Sequence, residues 1–154
     1  MKKPISKILV AIDGSEESFK AADYAISLSV KLGSLVVALY VVVSETGFTY
    51  SSKKIIGGNS INTLLEKEKK QAELWFENVK QRAILLNPTT IIKFKSQVIV
   101  STSAVSAIID FSEREKIDLI VIGTQGKSGL KKLLLGSVSL GVLSYSKCPV
   151  LMVK

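Results

Sequence analysis

The sequence contains no histidine at all and a single cysteine. The first absence removes the commonest general base and the commonest metal ligand, so acid–base or metal-centred catalysis would have to rest on carboxylates alone. The second excludes an internal disulfide and suits a reducing compartment. That one thiol, Cys148, lies beside an apolar C-terminal run and reads as a small core residue, not a reactive group. Long hydrophobic runs are also missing. The basic N-terminus leads into only about seven apolar-rich residues before Asp13, too short for a bilayer span, so the expectation is a soluble, cytoplasmic protein with no membrane partner. Arginine is scarce: of 21 Lys and Arg residues, 19 are Lys, scattered along the chain. A sequence-specific nucleic-acid reader favours clustered Arg interleaved with aromatics, so the net charge of +8 implies only a mild attraction to polyanions.

What is present is a globular composition, 47% hydrophobic and 22% charged over 154 residues, enough for one domain, residues 1–154, with a core of its own. The apolar run at 7–12 reads as a strand covered on both faces. Asp13-Gly14-Ser15 breaks it, Ser15 can cap the helix that follows with Glu16 and Glu17 in its first turn, and Gly33 closes that helix. Leu35 to Val43 is a second buried strand. Ser44 to Ser60, rich in Gly, Ser and Thr, has the composition of an exposed loop. Helical spacing from Ile61 to Leu86 predicts a long helix ended by Asn87-Pro88. Thr90 to Val100 is a third strand, and its alternation of Lys93 and Lys95 with Ile92 and Phe94 predicts a sheet edge with one wet face. A helix from Ala104 to Lys116, a strand from Ile117 to Ile122, a short helix from Ser137 to Tyr145 and a strand from Pro149 to Val153 complete the series. Strands joined by helices run parallel. The fold class is therefore α/β: a single-domain, five-stranded parallel sheet with helices on both faces. Ligands of such sheets sit beyond the carboxyl ends of the strands, where Asp13, Val41 and Gly123 would face one crevice.

The spacing Gly123, Gly126, Gly136-Ser137 follows the fourth strand. As small residues alone it makes a tight connection. As a functional element it makes an anion cradle, because glycine permits positive φ and close backbone approach, and Gly136-Ser137 would open the last helix with its N–H groups and dipole towards the anion. Lys127, Lys131 and Lys132 add charge. Gly126-Lys127-Ser128 is not a P-loop, since the required glycine five residues earlier is Val121, and no Gly-x-Gly-x-x-Gly follows any strand.

Gly-x2-Gly-x9-Gly-Ser, together with Ile8 to Ser15, Asp118 to Thr124 and Cys148 to Val153, resembles the nucleotide-binding kind of universal stress protein over the whole chain. The resemblance implies a Rossmann-like fold of the adenine nucleotide alpha hydrolase type and ATP as ligand, with magnesium or manganese carried on its phosphates. By likeness Asp13 would bond the ribose, and the backbone at Ala11 and Val41 would meet adenine. Gly126, Lys127, Ser128, Gly136, Ser137, Val138 and Ser139 would surround the phosphates. The likeness also implies a homodimer paired through Val150, Leu151, Met152 and Val153. The chain departs from the family at Ala11, often Pro or β-branched, and at Val100 to Ala104, which lacks the usual glycine.

No paired carboxylates and no nucleophile with its base can be assembled, so slow ATP hydrolysis is the most to expect of it as an enzyme. The leading expectation is a nucleotide-binding regulatory module whose ligand alters a surface seen by a partner protein. The alternatives are a dimeric stress scaffold that binds no nucleotide and a weak ATPase or phosphotransferase.

Overall fold

The computed structural model describes residues 4–44, 58–126 and 135–154. Five strands, β1 (Lys7–Ala11), β2 (Leu35–Val43), β3 (Phe94–Ser101), β4 (Leu119–Gly123) and β5 (Val150–Val153), form one sheet in the order β3-β2-β1-β4-β5. Every adjacent pair is parallel. Among the described residues four helices connect them: α1 (Glu16–Leu32), α2 (Gly58–Leu86), α3 (Ala104–Arg114) and α4 (Ser137–Tyr145).

Alternation along the strands sorts the core into two layers. Ile8, Val10, Val36, Ala38 and Val121 pack with Ala22 and Ile26 of α1 and with Phe76 and Val79 of α2. Leu9, Val37, Leu39, Ile120 and Ile122 pack on the other face with Ile108 and Phe111 of α3 and Val142 of α4. A strand buried on both faces has no place for polar residues, which is why β1, β2 and β4 read as continuous apolar runs.

Local signals act as the sequence implies. Ser15 Oγ accepts from the Ser18 N–H at 3.2 Å, and Gly33 ends α1 at φ 68° with its N–H bonded to the Ser29 carbonyl. β3 is an edge strand with largely exposed side chains. The strands β1, β4 and β5 differ from expectation by one or two residues at their ends, and three other boundaries differ too. The helix α2 starts at Gly58, before Ile61, since residues of the kind found at helix starts are also those found in loops. Pairing of β3 begins at Phe94, opposite Val36, because the turn closed by Thr90 N–H on the Asn87 carbonyl at 3.2 Å leaves a stretch that must first cross to the sheet edge. The helix α3 stops at Arg114, as Lys116 takes φ 55° and the chain turns into β4. Most of the anticipated Ser44 to Ser60 loop lies outside the described residues. Among the described residues, no helix is long and apolar enough to cross a membrane.

Helices α1 and α2 are clamped by Arg82, which donates to both Asp23 carboxylate oxygens at 2.9 and 3.0 Å and lies 5.6 Å from the Phe19 ring centre. This clamp is a third exposed, whereas Ile120 in β4 is wholly buried. Urea denaturation should therefore show a loss of about 1 kcal/mol for Arg82→Ala and about 2–5 kcal/mol for Ile120→Ala.

Candidate functional site

At the carboxyl ends of β1, β2 and β4 lies a cavity of about 310 Å³, at the lower end of the range of about 300–1,000 Å³ typical of small-molecule sites. It opens where the winding reverses: α1 and α2 cover one face of the sheet, α3 and α4 the other, and β1 has a neighbour belonging to each half.

Its floor is the end of β1. Asp13 Oδ1 accepts from the Ser15 N–H at 2.9 Å and from the Ser15 hydroxyl at 2.5 Å, an arrangement possible because Gly14 between them sits at φ 81°. A side chain at Gly14 would also collide with Trp75, whose ring lies 2.4 Å from where a Cβ would stand. The other Asp13 oxygen faces the backbone of Gly126, 2.7 Å from the place a Cβ would occupy there. Asp13 is the only charged residue among the described residues that line the cavity.

The signature glycines have steric rather than conformational reasons, since among the described glycines only Gly14 and Gly33 have positive φ. At Gly123 a Cβ would come within 2.9 Å of the Glu17 backbone, so this glycine lets the end of β4 touch the first turn of α1. Gly126 makes room for the Asp13 carboxylate. Gly136 donates its N–H to the Thr124 carbonyl at 2.7 Å, and a Cβ on it would lie 3.3 Å from that same oxygen. Ser139 Oγ, buried, donates to the carbonyls of Thr124 at 3.1 Å and Gly136 at 2.8 Å. Its hydroxyl therefore fastens α4 to β4, and what it offers a ligand is its backbone N–H.

Gly136 caps α4 without any side-chain bond, and the first helical bond runs from Leu140 to Gly136 at 3.0 Å. The N–H groups of Ser137, Val138 and Ser139 precede it, at the positive end of the helix dipole. All three residues line the cavity. Of the other residues expected to bind, Ala11, Asp13, Val41, Gly123, Gly126 and Gly136 are brought to the same cavity. Lys127 and Ser128, and also Lys131 and Lys132, lie outside the described residues.

Several lining residues escaped the sequence reading. Leu39 and Ile122, with Ile108 and Ala104 from α3, make the apolar wall, and in sequence they are indistinguishable from core positions. Gln125 stands between two signature glycines, where spacing could have flagged it. Tyr40 is the most informative omission. Its hydroxyl donates to Glu68 of α2 at 2.6 Å, and its ring meets Trp75 edge-on, centroids 5.0 Å apart. Burial first, then the bond and charge of Glu68 and the charge of Asp13, push the phenol well above its ordinary value of 10.0. The cavity is thus wired to α2 through Tyr40 and Trp75.

The sequence pattern of the universal stress protein family matches residues 4–154. The chain is similar to Universal stress protein MJ0531 of Methanocaldococcus jannaschii, 34% identical over 156 residues that span 96% of this chain and 81% of the relative. It is likewise similar to Universal stress protein YxiE of Bacillus subtilis, 33% identical over 97% of this chain and 99% of the relative. Among solved structures, the universal stress protein UspA of Lactobacillus plantarum superposes with a TM-score of 0.79 at 22% identity, covering 99% of this chain and 100% of its own. A universal stress protein in complex with cAMP gives 0.72 at 21% identity, covering 99% of both chains. One from Archaeoglobus fulgidus in complex with dAMP gives 0.63 at 16%, covering 99% and 100%.

Because the folded state holds Tyr40 protonated, its contribution to stability is complete below pH 10, where the unfolded phenol is also protonated. It declines as pH rises above that value and the unfolded state alone gives up its proton. Titration of phenolate absorbance should show a late component in the native protein that is absent from Tyr40→Phe, and the variant should lose less stability between pH 10 and 11.

Proposed function

The chain belongs to the universal stress protein family, and we propose that it is a regulatory module that binds an adenine nucleotide, ATP, in the cavity at the ends of β1, β2 and β4. The observation that carries this reading is the pairing of opposites in one cavity: an anchored carboxylate, Asp13, against the Gly126 backbone, and the uncapped start of α4. Asp13 accepts from ribose hydroxyls. The apolar wall around Ala11, Leu39, Val41 and Ile108 takes the base. Backbone N–H groups of Ser137, Val138 and Ser139 take phosphate oxygens, with Lys127 and Ser128 supplied by the intervening segment. A divalent cation enters on the phosphates. The adenine nucleotides of the cAMP and dAMP complexes formed by two structural neighbours support this choice of ligand class.

The module acts by binding rather than by turnover, since the chain has no histidine to serve as base and Asp13 is occupied in holding its turn and the ribose. Two copies pair through β5, an edge strand whose Val150, Leu151 and Met152 are each partly exposed.

Trp75, the one tryptophan, packs on Gly14, next to Asp13, and on Tyr40 of the cavity lining, and serves as a reporter of the site. Titration of ATP with magnesium should give a saturable change in its fluorescence and a matching calorimetric isotherm. Gly126→Val, which needs no positive φ and whose Cβ meets only Asp13 among the described residues, should melt within a few degrees of the parent yet bind at least 100-fold more weakly; retained affinity would remove the site from this cavity. For the pairing, Leu151→Asp should sediment as a monomer while the parent sediments as a dimer, and an unchanged dimer would place the interface elsewhere.

A further inference from the structure

A second cavity, of about 390 Å³, lies between the C-terminal end of α2 and the start of β3. Phe94 at its wall pairs with Val36 near the start of β2, whereas the first cavity is lined by Leu39, Tyr40, Val41 and Val43 further along that strand, about 10–23 Å on. The two sites are at opposite ends of the sheet.

The walls of this cleft are apolar: Ala83, Ile84, Ile91, Ile92 and Phe94. Folding leaves much of that surface in water. Ile91 is 98% exposed and Ile84 58%, and their neighbours Leu85 and Leu86 are 80% and 50% exposed. Isolated exposed aliphatics are ordinary, but here Ile84 and Ile91 line a concavity with Leu85 and Leu86 beside them in sequence, and such a cluster marks a place where apolar matter binds. The rim is polar and carries one charge. Lys80 holds its ammonium 5.8 Å from the Phe94 ring centre, at the mouth, and Asn87, Thr89 and Thr90 add an amide and two hydroxyls. No carboxylate is among the described lining residues. Outside the lining, Glu77 pairs with Lys80 at 3.7 Å with both side chains about half exposed, a weak and exchangeable contact.

We propose that this cleft binds a free acyl chain bearing an anionic head group, a medium-chain carboxylate, with the chain along Ile84, Ile91, Ile92 and Phe94 and the head on Lys80 and the threonine hydroxyls. An apolar wall alone would accept any hydrophobe; the placement of Lys80 selects an anionic end. The proposal is independent of nucleotide binding at the other end of the sheet.

The test is calorimetric titration of the full chain with dodecanoate below its micelle concentration, with dodecanol as the uncharged control. Saturable binding at one site is expected. Lys80→Glu, at an exposed position, should weaken dodecanoate at least tenfold and leave dodecanol within about twofold, whereas Ile84→Asp should weaken both at least tenfold. If Ile84→Asp does not fold, as judged by circular dichroism, Ile91→Ser, at the exposed part of the wall, takes its place with the same expectation. Absence of saturable binding, or equal affinity in parent and variants, overturns the assignment. Binding confined to phosphatidylglycerol vesicles would instead make the patch a membrane contact. Self-association abolished by Ile91→Ser, with no uptake of dodecanoate, would give the cleft to a second copy of the chain.

Discussion

The arrangement at the carboxyl edge of the sheet depends on one close approach, that of Gly123 to the first turn of α1. With any side chain at that position the end of β4 would have to retreat from the Glu17 backbone. Retreat would carry Thr124 and Gly126 with it. Thr124 is the hub of the rim: its N–H donates to the Val153 carbonyl at 2.8 Å, and its carbonyl receives both Gly136 and Ser139. Gly126 in turn lies against Asp13. One missing Cβ therefore sets the distance between the Asp13 turn at the end of β1 and the start of α4, and so the width of the cavity between them. The signature reads as a phosphate motif, yet its first glycine works through packing between a strand and a helix.

The same edge is tied to α2 by different means. Gly14 is pressed by Trp75, Trp75 meets Tyr40, and Tyr40 donates to Glu68, so three consecutive contacts join the Asp13 turn to the middle of a 29-residue helix. A ligand can shift a conformational equilibrium only through contacts that differ between the two states. Here a ligand that pulled on Asp13 would act on a turn whose glycine has no slack against an indole ring. The outer face of α2 carries many of the chain's charged side chains, among them Glu66, Lys67, Lys69, Lys70 and Glu73, all exposed.

How much of this was legible in the sequence follows from which forces leave a local trace. Double-sided burial leaves a run of apolar residues, so β1, β2 and β4 were plain, and caps leave Ser15 and Gly33. Edge position left the Lys93, Phe94, Lys95 alternation. The path that carries the chain from the end of α2 to the sheet edge leaves no such trace, and β3 was begun four residues early. Helix termini and loops draw on the same polar residues, which hid the start of α2 at Gly58. At the site, spacing revealed the glycines but not their purpose, because a Cβ clash is a property of two segments distant in sequence. Tyr40 was missed for the same reason: its partners Glu68 and Trp75 are about thirty residues away, and a tyrosine within an apolar strand looks like core.

The two ends of the cavity also set requirements that few molecules meet together. Asp13 is a fixed negative charge held by two donors from Ser15, so it repels a bare anion placed beside it and favours a donor such as a hydroxyl. The start of α4, with no side-chain cap, favours an anion and gains nothing from a neutral group. Inorganic phosphate would satisfy one end and be opposed by the other, and a nucleoside would leave the helix terminus to water. The apolar wall, built on the α3 and α4 face of the sheet by Leu39 and Ile108, adds a flat hydrophobic element to the demand. A molecule carrying a ring, vicinal hydroxyls and a phosphate in that order satisfies every part, which is the physical case for a nucleotide over any fragment of one.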